Sequence, residues 1–242
     1  MNFITHILEP KRLLLVWQGP EGSSRTRHSI AELLRQGDQP VRLRYLTESQ
    51  DFANAHSEGL TNFPAFRKVD QTYDLGVEET FMRRLPPRSR GDYAQYLEQF
   101  RLRPETRISD FALLAYTGAK LPGDGFSIIS PLEDVVEPCE ILVEVAGFRY
   151  NSQLSHANVH PGVPVRFEAE ADNPHDQNAV AIFVLDQRIG YVPRQQASAI
   201  HRLCEAGSLS ARVERVNGRS DRPLVYLFTT LGELASVVRT AI

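Results

Sequence analysis

Apolar and polar positions along the chain fall into two textures that change near residue 140. Before that point, Arg12–Gln18 (RLLLVWQ) is a short apolar run followed by the turn residues Gly19-Pro20-Glu21-Gly22. Such a run predicts a buried strand. Ser29 to Arg35 predicts a helix, with Ser29 as its cap and Glu32 at the capping-box position. Val41–Leu46 alternates apolar and basic residues and predicts a half-exposed strand. Tyr93, Tyr96, Leu97 and Phe100 recur at helical spacing behind Asp92, a candidate cap, and Ser109–Tyr116 (SDFALLAY) repeats that design. The first half is therefore read as mixed α and β, with its helices late.

The second half is richer in short β-type runs. They are Ile141–Val145, Pro164–Ala169, Ala179–Leu185, Arg188–Val192, Leu209–Val216 and Leu224–Thr229. Turn signals separate them at His160-Pro161-Gly162, Asn173-Pro174-His175-Asp176, Asp186-Gln187 and Asn217-Gly218-Arg219-Ser220. One helix interrupts, Arg194–Ala206, with Ala197, Ile200, Leu203 and Cys204 as its inner face. A last helix is expected from Gly232. Many short strands with one or two helices in about a hundred residues predict a small barrel.

A seam spans residues 121–140, where three prolines, two glycines and five acids surround a Phe126–Ile129 apolar patch. It divides the chain into expected domains 1–135 and 136–242. The whole chain carries 27 basic and 30 acidic residues, for a formal net charge of −3. Residues 1–140 hold 17 basic and 20 acidic groups and residues 141–242 hold 10 of each. That balance excludes a bulk-electrostatic polyanion binder, and any anion site in the second half must be local. With 42% hydrophobic and 24% charged residues the chain is an ordinary globular sequence. Its opening Met-Asn-Phe-Ile-Thr-His lacks a basic flank and a continuous apolar core, and only two cysteines are present. A cytoplasmic protein without membrane attachment is expected.

Enzyme motifs are missing. The sequence contains no G-x-x-x-x-G-K-[ST], no G-x-G-x-x-G, no G-x-S-x-G and no C-x-x-C. His156-x-x-x-His160 has zinc-like spacing but precedes a Pro-Gly turn and reads as a pair of loop histidines. Neither a metal nor a cofactor is expected, and the chain is read as a non-enzymatic protein.

Three stretches of the second half carry the chemistry. Val145-Ala146-Gly147-Phe148-Arg149-Tyr150 places an aromatic and an arginine after a strand. Asp172-Asn173-Pro174-His175-Asp176-Gln177-Asn178-Ala179-Val180 is a turn dense in side chains that bond backbone groups, and taken alone it needs no other role. Ile189-Gly190-Tyr191-Val192-Pro193-Arg194 closes a strand on a second arginine. In this order they resemble the HIRAN domain, over roughly residues 141–230. The resemblance implies a modified OB-like barrel with inserted helices that grips the 3′ end of single-stranded DNA. Carried over by position, it makes Tyr150 the base-stacking aromatic and Arg149 its basic neighbour. Asp176 becomes the acceptor for the terminal 3′-hydroxyl. Asn173 belongs to the same turn, and Tyr191 and Arg194 approach the backbone. Two positions depart from the family pattern: His175 stands for a second stacking aromatic, and Asp172 stands where the DNA-end binders carry another asparagine. The charge of Asp172 opposes phosphate.

The first half holds a second candidate site, the arginines Arg83, Arg84, Arg88 and Arg90 around Leu85-Pro86-Pro87. Clustered guanidiniums pair with carboxylates or phosphates, although such runs are more often solvated loops. With the strand and turn before it and Asp110-Phe111-Ala112-Leu113-Leu114 after it, this half resembles the N-terminal subdomain of HipA-type toxin kinases. That resemblance, over residues 10–130, implies an α+β domain that docks and restrains a separate kinase. A DNA-processing ATPase is the partner expected on the end-binding reading. The fold class is thus an α+β domain followed by a mostly β barrel. The leading function is single-stranded DNA binding at 3′ ends, and the alternative is an antitoxin-like regulator of a HipA-type kinase.

Overall fold

The computed structural model describes residues 2–20, 26–150, 158–174, 176–219 and 222–232. The chain divides into two compact units, one of Glu9–Asp134 and one of Met1–Leu8 with Val135–Ile242.

In Glu9–Asp134, an antiparallel sheet is built from β1 (Arg12–Gln18), β2 (Arg27–Leu34), β3 (Arg42–Tyr45), β4 (Thr72–Tyr73) and β5 (Phe126–Ile129), in the order β4-β3-β2-β1-β5. Leu13, Leu14, Leu15, Val16 and Trp17 are all buried, as a central strand covered on both faces requires. The helices are α1 (Gln50–Ser57), α2 (Val77–Met82), α3 (Tyr93–Glu98) and α4 (Asp110–Thr117). Ser49 and Ser109 cap α1 and α4 by accepting the N–H of Phe52 and Ala112. Asp92 stands at the start of α3 without a capping bond, and of that helix's apolar residues only Leu97 is buried.

The helix expected at Ser29–Arg35 is strand β2. Its capping-box pattern is coincidental, because both residues lie in the strand and the Glu32 carboxylate is used across strands. The Ser29 N–H donates to Asp51 Oδ2 on α1 (2.9 Å). Glu32, 5% exposed, accepts from Arg12 Nε on β1 (2.7 Å) and from Arg44 Nη2 on β3 (2.5 Å). A carboxylate buried between two arginines on flanking strands holds the register more firmly than a local cap would. The Phe126–Ile129 patch of the seam is also a strand, paired to β1 from Leu14↔Ile129 to Trp17↔Phe126.

The second unit carries β6 (Cys139–Glu144), β7 (Pro164–Ala169), β8 (Val180–Val184), β9 (Gln187–Tyr191), β10 (Leu209–Arg219) and β11 (Arg222–Leu231), with α5 (Arg194–Glu205) between β9 and β10. Every strand expected here is present, and β10 runs on through Asn217–Arg219, where a turn was expected. The helix expected after Gly232 lies outside the described residues. The sheet order is β6-β11-β10-β7-β8-β9. Val143, Val180, Ile182, Ile189, Val213, Val225, Leu227 and Ile200 of α5 form the core.

The amino-terminal residues, expected in the first domain, belong to this second unit. Ile4 is 1% exposed. Glu140 Oε2 accepts from Thr5 N (2.7 Å), Thr5 Oγ1 (2.9 Å) and His6 N (3.2 Å), and the Glu140 N–H donates to His6 O (3.0 Å). Asn2 Nδ2 donates to Glu214 Oε2 (3.1 Å). No local pattern announces such an arm, because its partners lie more than 130 residues away in sequence.

Candidate nucleic-acid interface

The two edge strands of the second sheet meet. Just beyond β6, Ala146 N donates to Tyr191 O (2.8 Å) at the end of β9, and Tyr191 N donates to Ala146 O (2.9 Å). The sheet thereby curls on itself as a barrel. Gly190 makes the closure feasible. Its φ is +153°, and a Cβ there would sit 2.3 Å from Ala146 O and 2.6 Å from Val145 Cγ1. Only glycine lets the two backbones approach this closely.

Immediately after the bridge the chain turns at Gly147 (φ +77°) into a short 3-10 turn, Phe148–Tyr150, with the Tyr150 N–H donating to Gly147 O (3.0 Å). Phe148 is buried and anchors the turn. Tyr150 is 70% exposed, and the Arg149 guanidinium lies 4.5 Å above its ring centre and donates to its hydroxyl. An exposed aromatic with a cation stacked on it is a poor core element and a ready platform for a planar ligand.

The turn between β7 and β8 is held by its own side chains. Asn173 Oδ1 accepts the Asp176 N–H (3.3 Å), Asp176 Oδ1 accepts the Asn178 N–H (2.9 Å), and Ala179 N donates to Asp176 O (2.9 Å). Asn173 and Asp176 are half-buried and Asp172 is exposed. His175 lies outside the described residues.

Glu170, which the sequence reading did not single out, ties this turn to the barrel closure. It accepts from Asn173 Nδ2 (2.9 Å), from the Tyr191 hydroxyl (3.1 Å) and from Arg188 Nη1 (3.4 Å), while Arg188 Nη1 also donates to the Tyr191 hydroxyl (2.8 Å). Burial and the hydrogen bond to Glu170 push the Tyr191 phenol above its ordinary value, so it stays a neutral donor. The sequence carried no signal for Arg188, because a spacing of three puts it on the opposite face of a regular strand from Tyr191, and only the bulge in β9 brings the two together. Arg194, exposed, opens α5 three residues after Tyr191.

The three stretches singled out in the sequence thus gather at one end of the barrel. Arg149, Arg188 and Arg194 are matched in number by Glu170, Asp172 and Asp176, so these stretches are mixed in charge rather than strongly cationic. Among the described residues no group of three or more His, Cys, Asp or Glu side chains is arranged to hold a metal ion, and no helix is long and apolar enough to cross a membrane. His160 is exposed, and His156 lies outside the described residues. Burial pushes the Cys139 thiol up to about 11, and the Cys204 thiol is raised by the same cause.

The arginine cluster of the first unit is divided. The Arg84 side chain is 7% exposed and bound inside the unit. It makes a bidentate pair with Asp124 (2.6 and 3.1 Å) and donates to Ala119 O (2.7 Å) and Phe126 O (3.1 Å). The expectation that it is a loop charge free for a partner is corrected: its guanidinium fastens the Gly123-Asp124-Gly125 turn. Arg88 pairs with Asp110, and Arg90 with Asp92 (2.5 Å), both in the open. Arg83 is exposed.

A HIRAN domain occupies residues 139–231, the span that matches the family's sequence profile. Among solved structures, a crystal structure of a protein from Lactobacillus plantarum is 22% identical. The match covers 39% of this chain and 97% of that one, with a TM-score of 0.34. The crystal structure of the HIRAN domain of human HLTF is 19% identical, covering 37% of this chain and 74% of that one, with a TM-score of 0.30. No curated protein matches the sequence. Glu9–Asp134 lie outside the HIRAN match, and the resemblance of the first half to the HipA-type subdomain receives no support from these comparisons.

Proposed function

We propose that this protein is a nucleic-acid-binding module rather than an enzyme, and that its barrel takes a single DNA strand by its 3′ end. HIRAN domains are DNA-binding modules, and that family property supports the general reading. The observation that carries the finer one is the Glu170 junction, which ties Asn173 of the Asp176 turn to Tyr191, whose backbone closes the barrel beside Arg149 and Tyr150.

In this reading the terminal base stacks on the Tyr150 ring, which is worth about 1–3 kcal/mol per base and is indifferent to sequence. Asp176 uses Oδ1 to hold its turn, and its Oδ2 accepts the terminal hydroxyl. An anionic acceptor rewards a free hydroxyl and repels a 3′-phosphate. Arg149 and Arg194 contact phosphates. Asp172, exposed on the same turn, opposes the approach of further phosphates there and favours a strand that ends at the site.

The test is binding of the full chain to labelled oligonucleotides that differ only at the end. A free 3′-hydroxyl is expected to bind most tightly, ahead of a 3′-phosphate and a closed circle. Equal affinity for all three overturns the end-specific reading.

A further inference from the structure

The chain leaves its amino-terminal arm at Leu8, builds Glu9–Asp134 as a compact unit, and returns at Val135 to make the barrel. By chain order the first unit is thus an insertion within the second. The two ends of the insert are fastened to each other. Lys11 N donates to Asp134 Oδ2 (2.8 Å), and Arg12 Nη1 donates to both oxygens of Glu133 (2.8 and 3.0 Å). A unit whose ends meet can be inserted in another without stretching it.

The arm lies outside the family match, which begins at residue 139, yet it packs as part of the barrel unit and buries Ile4. It reaches two strands that are not neighbours. Thr5 and His6 bond Glu140 on β6, and Asn2 bonds Glu214 on β10, with β11 between those strands in the sheet. Two strand spacings are about 10 Å. Four extended residues, from Asn2 to His6, reach about 13–14 Å. The arm is therefore long enough to cross β11 and tie β6 to β10 directly.

β6 is the strand that such a tie would steady. One of its edges pairs with β11 from Cys139↔Leu231 to Glu144↔Tyr226. Its other edge is held near both ends. The Glu140 N–H donates to His6 O (3.0 Å), and six residues on, Ala146 exchanges hydrogen bonds with Tyr191. Those two ties are about 20 Å apart along the strand. The Phe148–Tyr150 turn begins two residues after the second.

We infer that the arm is a strap, which positions the Arg149-Tyr150 turn through β6, and that the inserted unit takes no part in this. Its effect on affinity rests on the end-binding reading; its effect on the barrel does not.

The experiment uses the full chain carrying Ile4→Ala, which empties a buried site, with Ile4→Val as the conservative control. Thr5→Val is a milder variant that removes a hydroxyl donor from Glu140. Amide hydrogen exchange read by mass spectrometry should show β6, β11 and residues 145–150 of Ile4→Ala exchanging roughly tenfold faster or more. Glu9–Asp134 should exchange as in wild type, although residue 4 lies only five residues before that unit. Affinity for a 3′-hydroxyl oligothymidylate, at a temperature where circular dichroism shows both proteins folded, should fall roughly tenfold, within what one stacked base supplies. Ile4→Val should restore both readings. Should Ile4→Ala not fold, Thr5→Val is expected to give the same exchange pattern at smaller amplitude. Faster exchange within Glu9–Asp134, or unchanged exchange in β6, overturns the strap. Faster exchange in β6 with wild-type affinity overturns its positioning role and leaves it a role in stability. If wild-type protein binds no oligonucleotide, the end-binding reading fails, and the exchange pattern alone decides the strap.

Discussion

Ala146 and Tyr191 exchange both of their backbone hydrogen bonds, and this pair joins the two edges of the six-stranded sheet. Both residues belong to stretches that carry candidate binding chemistry. Closure of the barrel therefore brings the first and third of those stretches side by side. Tyr191 contributes its main chain to the bridge and its hydroxyl to Glu170, while Ala146 leads directly into the Arg149-Tyr150 turn.

Gly190→Ala tests that coupling. The added methyl would meet Ala146 O at 2.3 Å in a backbone conformation that L side chains rarely adopt. Strain of this kind costs about 1–3 kcal/mol before the clash itself is relieved. We expect urea unfolding of the full chain to show a loss of at least that size, together with loss of oligonucleotide binding. A variant as stable as wild type would show that the bridge can separate without consequence.

Arg84 and its neighbours should behave in opposite ways. Arg84→Ala leaves Asp124 without its bidentate partner and two carbonyls without donors, and breaking a buried pair of this kind costs about 3–5 kcal/mol. Asp124 is partly exposed, which places the expected loss at the lower end. Arg88→Ser and Arg90→Ser remove exposed pairs and should shift stability by less than about 1 kcal/mol. Thermal unfolding of the three single variants distinguishes the cases.

The contrast shows what the sequence could and could not convey. The strands of the barrel were legible because apolar runs bounded by Asn, Pro, Gly and Asp report local geometry. Ser29-x-x-Glu32 misled for the same reason. A local capping signal was present, but Glu32 is held by arginines 20 residues before it and 12 after it, and tertiary pairing prevailed. Arg84 has its carboxylate 40 residues away, and Glu140 receives the amino-terminal arm from 135 residues away. Neither distance leaves a trace in a window of sequence. The candidate residues Arg149, Tyr150, Asn173 and Asp176 could be named from their motifs. Glu170 could not, because its role exists only once β7 and β9 lie in one sheet.

Acid should loosen the arm. Burial alone would raise the Glu140 carboxyl, but the Thr5 and His6 donors outweigh it and hold it below the ordinary 4.5. A depressed folded value means the stabilisation is present above 4.5 and is lost as the pH falls through the folded value. Glu140→Gln should therefore lower the melting temperature at pH 7, by the equivalent of about 2 kcal/mol for hydrogen bonds to a charged acceptor. The difference from wild type should shrink as the pH is taken below 4.5. A difference that stays constant down to strong acid would mean the arm does not depend on the ionised carboxylate.

Tyr150 and Asp176 should separate affinity from end preference. Tyr150 is exposed and contributes little to the core, so Tyr150→Ala should leave stability unchanged and weaken binding of every oligonucleotide by about 1–3 kcal/mol, whatever its sequence or terminus. Asp176→Asn is the sharper variant. Asparagine retains an oxygen that can accept the Asn178 N–H, so the turn is preserved, while the negative charge is removed. With the charge gone, a 3′-phosphate is no longer repelled, and its affinity should rise toward that of the free hydroxyl. The hydroxyl end itself should lose affinity, because a charged acceptor makes the stronger hydrogen bond. Competition between the two ends on the same protein reads the ratio directly. If the ratio in Asp176→Asn equals that of wild type, Asp176 only builds the turn, and the end preference must be sought in another residue of the site.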